Sequence, residues 1–215
     1  MTRSTRRRRP SGRRCSHDLA PGPGATLVQQ PDQAGGFAIE ATDITQHAPL
    51  DAAFYARDVL QVAPDLLGKL LCRRHLDGRV EARAITEVEA YRGEEDSACH
   101  ARAGRTRRTA VMYRPGGVAY VYLCYGVHHL LNVVTGPPDR PQAALIRGLE
   151  GTTGPGRLTK ALDVDLAFNG ASLLGDGDLW LADAAPPAHI SSGPRVGIGY
   201  ATPEDQARPW RFWTS

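Results

Sequence analysis

Lysine is almost missing from this 215-residue chain: 24 of its 26 basic side chains are arginine, leaving only Lys69 and Lys160. That scarcity argues against chemistry that passes through a lysine Schiff base. No run of eighteen apolar residues occurs, so no membrane-spanning helix is expected. The Arg-rich segment Met1 to Arg14 is not followed by an apolar stretch, so no signal peptide is expected. The four cysteines, Cys15, Cys72, Cys99 and Cys124, form no Cys-x-x-Cys pair and no zinc spacing, and read as reduced thiols of a cytoplasmic protein. A phosphate-cradling Gly-rich loop and a Gly-x-Ser-x-Gly elbow are both absent. His128 and His129 are adjacent, so on a strand they point to opposite faces. No metal or cofactor is expected.

What is present is unevenly placed charge. Residues 1–50 carry seven Arg against four acids, whereas residues 51–215 carry nineteen basic against nineteen acidic side chains. The formal net charge of +3 therefore lies in the N-terminal segment. A folded part that binds nucleic acid must do so through a local patch. Residues 1–49, rich in Arg, Pro, Gly, Gln and Ser, read as a disordered tail, and residues 50–215 as one folded domain. The tail's Arg run either holds a phosphate backbone loosely or is simply solvated.

Asp51 can cap a short helix carrying Phe54, Tyr55 and Leu60. Pro64 suits the first turn of a second helix, closed by Gly68. Asp77-Gly78 predicts a hairpin between strands 69–75 and 79–90. Residues 92–114 form a long polar connection holding the only Arg cluster of the folded part. Strands are expected over 118–125, 128–135, 142–149, 179–182, 195–200 and 210–213, with a helix over 157–162. Hairpins mixed with short helices predict an α+β domain with a curved, largely antiparallel sheet.

The segment 86–100, Thr-Glu-Val-Glu-Ala-Tyr-Arg-Gly-Glu-Glu-Asp-Ser-Ala-Cys-His, concentrates carboxylates, a phenol and an imidazole. At a strand's two-residue period, Glu87, Glu89 and Tyr91 share a face. The face is either solvated or the wall of a site. The two Glu, roughly 7 Å apart along the strand, could serve as an acid/base pair for hydrolysis at an anomeric carbon. Tyr91, His100 and Tyr122 are planar groups able to sandwich a ring. Asn132 and Arg147 interrupt apolar strands, where a polar group needs a partner.

Jointly, several segments resemble the alkyladenine (3-methyladenine) DNA glycosylase family of mammalian type. They are Thr86-Glu87-Val88-Glu89-Ala90-Tyr91, Glu95 to His100, Tyr120-Val121-Tyr122-Leu123-Cys124-Tyr125-Gly126, Asn132, and Leu145-Ile146-Arg147. The Leu67-Gly68 step, Gly154-Pro155-Gly156-Arg157-Leu158 and Arg195-Val196-Gly197-Ile198-Gly199 extend it, so that it covers about Leu50 to Trp213. The resemblance implies a monofunctional enzyme that flips damaged purines from double-stranded DNA and hydrolyses the N-glycosidic bond. It implies Glu89 as the base that activates water, and Arg147 as a holder of that water and of the flipped nucleotide's phosphate. Tyr91, His100, Tyr122, Asn132 and Leu145 would form the base pocket, with Asn132 rejecting the 2-amino group of guanine. Tyr125 would fill the vacated stack. Arg102, Arg105, Arg107, Arg108 and Arg157 are candidate phosphate contacts. Val127, His128 and His129 differ from the bulkier residues that follow the Tyr-Gly step in mammalian members. The enzyme would act as a monomer on DNA, in a bacterial nucleoid or a eukaryotic nucleus. A silent binder of damaged DNA and a carbohydrate hydrolase are the competing readings.

Overall fold

The computed structural model describes Ile44 and residues 46–214. The tail expected over residues 1–49 lies mostly outside the described residues. Packing is already under way upstream of Leu50: Ile44 is buried in a cluster with Leu70, Cys72, Ala82 and Trp180. Pro49 bridges to Ala182.

The sheet comprises β1 (Leu70–Arg74), β2 (Val80–Arg92), β3 (Ala119–Cys124), β4 (His128–Val134), β5 (Gln142–Leu149), β6 (Thr152–Thr153), β7 (Leu179–Ala182), β8 (Ile190–Gly193) and β9 (Arg211–Thr214). Its order is β3-β4-β5-β2-β1-β7, with β6 on β5 and β9 joining β2 to β8. The pairings are antiparallel. Short helices accompany it: α1 (Ala52–Tyr55), α2 (Val59–Asp65), α3 (Pro155–Ala161) and α4 (Pro203–Ala207). This is the expected α+β arrangement around a curled antiparallel sheet. No helix among the described residues is long and apolar enough to cross a membrane.

β2 organises the domain. It pairs with β1 over residues 80–84, with β5 over 85–92 and with β9 over 87–89. Its register against β5 slips on both sides of Glu87. Ile85 and Val88 consequently both reach the main core, although a regular strand would send them to opposite faces. Beyond this bulge, Val88 and Ala90 face the core, while Glu89 and Tyr91 face away from it. Gly148 sits opposite the irregularity. A Cβ there would lie 2.8 Å from Thr86 Oγ1 and 3.2 Å from Glu87 Cβ, so glycine is what lets the bulged strand close up. A second cluster, containing Cys99, Met112, Tyr120 and Ala143, carries Tyr91 and Tyr122 on its surface.

Three local expectations change. Asp51 does cap α1, accepting from Phe54 N at 2.8 Å, but that helix stops at Tyr55. Leu60 belongs to α2, which has its own cap in Asp58 (3.0 Å to Leu60 N). Because Asp58 starts α2 this early, Pro64 falls in its last turn rather than its first. Residues 195–200 are a loop rather than a strand, because Arg195 is drawn inward to an acid. Ile190–Gly193 is a strand without any alternating apolar pattern, defined by its pairing to β9. The long connection contains two 3₁₀ turns, His100–Ala103 and Ala110–Tyr113.

Candidate active site

Glu89 has no exposed surface. Its Oε1 accepts from the Val196 backbone N–H at 2.7 Å and lies 3.3 Å from Arg147 Nε. Its Oε2 accepts from the Tyr91 hydroxyl at 2.9 Å. Arg147 Nε also donates to Glu87 Oε1 at 2.9 Å, and Arg211 Nη1 stands 3.6 Å from the same oxygen. One guanidinium thus serves both carboxylates, and surroundings separate their roles. Glu87 is partly exposed and has two arginines, whereas Glu89 is enclosed.

The proximity of Arg147 suggests a carboxyl held low in pKa, but the balance goes the other way. Burial pushes the Glu89 carboxyl above its ordinary range, and Arg147, the Val196 N–H and Tyr91 only partly oppose it. The result is a more basic carboxylate, which suits a proton acceptor. Tyr91 is pushed well above its ordinary value by burial and then by Glu89, so it stays a hydroxyl donor.

The Val196 N–H reaches Glu89 from a distant loop that is fastened next door. Arg195 and Asp96 are both fully buried and joined by two bonds, Nη1–Oδ2 at 2.6 Å and Nη2–Oδ1 at 2.9 Å. Arg195 Nη1 also donates to Ala90 O at 2.9 Å. Its guanidinium lies 4.8 Å from the Tyr91 ring centre and 5.0 Å from that of Trp210. Asp96 further accepts from Arg92 N at 3.1 Å and Ala98 N at 3.0 Å. Sequence reasoning assigned no role to Val196, Arg195 or Asp96. Asp96 follows Glu94 and Glu95 in a run of three acids, and nothing local singles it out as the partner of an arginine 99 positions away.

Beside this carboxylate opens a cleft of about 700 Å³, lined among others by Tyr91, His100, Tyr122, Leu145, Arg147 and Val196. It shares walls with a small chamber of about 30 Å³ that adds Met112, Tyr120, Asn132 and Ala143. The chamber has room for about one water. His100 and Tyr122 touch edge to face, with centroids 4.6 Å apart, so they form one composite wall rather than two jaws. His100 is driven down to about 4 by burial, then by Arg108 and Arg102, so the ring is neutral at pH 7. Its Nδ1 lies 3.0 Å from the Tyr120 hydroxyl. Tyr120, two residues before Tyr122 on β3 and so on the same strand face, is a further wall of the chamber. Asn132 Nδ2 donates to Tyr120 O at 3.0 Å.

Tyr125 occupies the three-residue turn between β3 and β4, 95% exposed, at φ 50 and followed by Gly126 at φ 73. Val127 N donates to Cys124 O at 3.1 Å, closing the turn. An aromatic side chain on a left-handed backbone at a rim is a costly placement without a packing reason. Arg102 and Arg108 line the cleft. Arg105 instead pairs with Asp139 at 3.0 Å and lies over Tyr113. Arg107 and Arg157 are exposed and do not line the cleft.

The match to a known family covers this whole arrangement. The model of the family described as Methylpurine-DNA glycosylase matches residues 53–153 and 150–215. A relative from Anaeromyxobacter dehalogenans is 51% identical over 173 residues, covering 76% of this chain and 80% of its own. One from Nitrosococcus oceani is 45% identical over 182 residues, covering 76% and 88%. One from Borreliella afzelii is 42% identical over 177 residues, covering 76% and 95%. All three are named for 3-methyladenine DNA glycosylase. With the family model spanning both sides of the cleft, from β2 through the loop that holds Glu89, this chain belongs to the methylpurine-DNA glycosylase family.

Proposed function

We propose that the protein excises alkylated or deaminated purines from duplex DNA: 3-methyladenine and 7-methylguanine, with ethenoadenine and hypoxanthine as further substrates. The observation that carries this reading is the enclosed Glu89 with its Tyr91, Val196 and Arg147 donors, set beside an aromatic cleft. A base stacked inside a duplex cannot reach that carboxylate, so the nucleotide must be extruded, at a cost of a few kcal/mol. Stacking on Tyr91, His100 and Tyr122 returns about 1–3 kcal/mol. Tyr125, standing free at the rim, fills the gap left in the duplex.

Glu89 then takes a proton from water as the water's oxygen bonds to C1′ of the deoxyribose. The C1′–N bond breaks and its electron pair leaves with the base. A purine alkylated at N3 or N7 is already cationic, so it leaves as a neutral base and favours electron-rich Tyr faces. Neutral lesions need a proton or hydrogen bond at the departing ring. The ionised carboxylate also stabilises the oxocarbenium charge developing on the sugar.

Neither lysine lines the cleft: Lys69 pairs with Asp183 at 2.6 Å, and Lys160 lines a separate cavity with His128 and His129. The reaction therefore stops at an abasic site, with no strand cleavage. The protein acts as a single chain wherever the cell keeps its DNA. The test is incubation with duplexes each bearing one of the four lesions. Release of 3-methyladenine with an intact abasic strand is expected. Failure to release any methylated purine while still binding the duplex would leave only a binding role.

A further inference from the structure

The arginines of the 102–108 segment have different fates. Arg102 donates to Ser97 O and lies over Tyr200, while Arg105 has Asp139. Arg108 faces no carboxylate among the described residues. All of its partners are walls of the base pocket. Its Nη2 lies 3.3 Å from His100 Nε2, and its guanidinium lies 5.2 Å from the Tyr122 ring centre. Its positive charge also acts on the Tyr120 hydroxyl, opposing the upward push that burial gives it. Because His100 is neutral, Arg108 donating to Nε2 leaves the ring proton on Nδ1, directed at Tyr120.

The loop carrying Arg108 is closed on itself by Thr109. Thr109 Oγ1 accepts from Thr106 N at 2.8 Å and donates to Gly104 O at 3.0 Å. Arg108 itself is exposed on its solvent side and lines the open cleft but not the inner chamber. Its guanidinium therefore stands at the boundary between the two, a planar cation against an aromatic wall. That is the placement a cationic alkylpurine needs, and two cations cannot share it.

We propose that Arg108 is a specificity-determining residue. In the free protein it holds the place of the cationic base against the His100–Tyr122 wall, and a DNA phosphate draws it away as the nucleotide enters. The pocket thus opens to a damaged base delivered on a strand and resists the same base presented as a free nucleoside. After hydrolysis, withdrawal of the DNA returns Arg108 to the wall and helps to expel the released base. The proposal rests on the reading of the cleft as a base pocket.

The test separates the two claims. Binding of 7-methylguanosine, a cationic nucleoside without phosphate, is measured calorimetrically in mildly acidic buffer without DNA. Arg108→Ala is expected to tighten nucleoside binding about two- to fivefold, the loss of one exposed cation–π competitor. The same variant is expected to bind lesion duplex more weakly, with a salt-dependence slope lower by about one. Arg108→Gln, which keeps a polar group but not the charge, repeats the nucleoside result if truncation disturbs the loop. Unchanged or weaker nucleoside binding in both variants, in a protein whose wild type excises 3-methyladenine, overturns the proposal and leaves Arg108 an ordinary phosphate contact. A wild type that neither excises methylated purines nor binds the nucleoside overturns the pocket reading itself.

Discussion

Replacing Glu89 by Gln separates chemistry from stability. The shape and most contacts of the side chain survive. The amide oxygen can accept from Val196 N and Arg147, and the amide N–H can donate to Tyr91, whose hydroxyl turns to accept. Arg147 keeps its 2.9 Å bond to Glu87, so no charge is stranded. What disappears is the proton acceptor. A general base contributes about 10²–10⁴-fold, or about 3–5 kcal/mol of barrier. Single-turnover release of the base should fall by that factor, least for a cationic leaving group and most for hypoxanthine. Stability should move the opposite way. The folded-state pKa of Glu89 is raised by burial, so its contribution is present below the unfolded value and lost as pH rises through the folded one. Ionised Glu89 therefore weakens the fold at neutral pH, and Glu89→Gln should unfold at an equal or higher temperature than wild type. The gap should open as pH rises from the ordinary carboxylate range through the folded-state pKa and stay level above it. Excision within tenfold of wild type refutes the base assignment. A lower unfolding midpoint at neutral pH refutes the account of the carboxylate's environment.

Three further outcomes are expected. Asn132→Ser should raise release of unmodified guanine from duplex DNA by opening room for its 2-amino group, while losing the Tyr120 O bond costs about 1 kcal/mol in denaturant unfolding; unchanged guanine release removes Asn132 from that role. Tyr125→Gly should relieve the left-handed backbone, so the unfolding midpoint holds or rises while lesion-duplex binding weakens; full binding would exclude Tyr125 as the filler of the stack. Asp96→Asn leaves Arg195 buried and uncompensated and should cost about 3–5 kcal/mol, measured by urea unfolding; a change under about 1 kcal/mol would mean that the pair does not hold the loop.

The hairpin from β1 to β2, the alternation of β2 and the cluster of Glu87, Glu89 and Tyr91 were legible because each depends on neighbours in sequence. A Gly at the left-handed position of a tight turn and a period of two are local signals. The bulge at Glu87 was not legible. It depends on Gly148, a residue of another strand, leaving room opposite. The loop 195–200 looked like a strand because Arg-Val-Gly-Ile-Gly alternates. Its conformation is set by a buried ion pair with Asp96, and the group it supplies to Glu89 is a backbone N–H, which no side-chain pattern reports. Likewise, the pKa direction of Glu89 followed from enclosure, which composition and spacing do not reveal.

Glu89 lies in the second strand, but its backbone pairs with Arg211 in the last one. The N–H and guanidinium that fix its surroundings come from residues 195 and 196. On a ribosome these pieces emerge more than a hundred residues after the carboxylate. A nascent chain, or one cut short by a premature stop, therefore carries Glu89 without the parts that hold it. With Glu89 in the role proposed above, cleavage of a glycosidic bond would have to wait until the final strand docks.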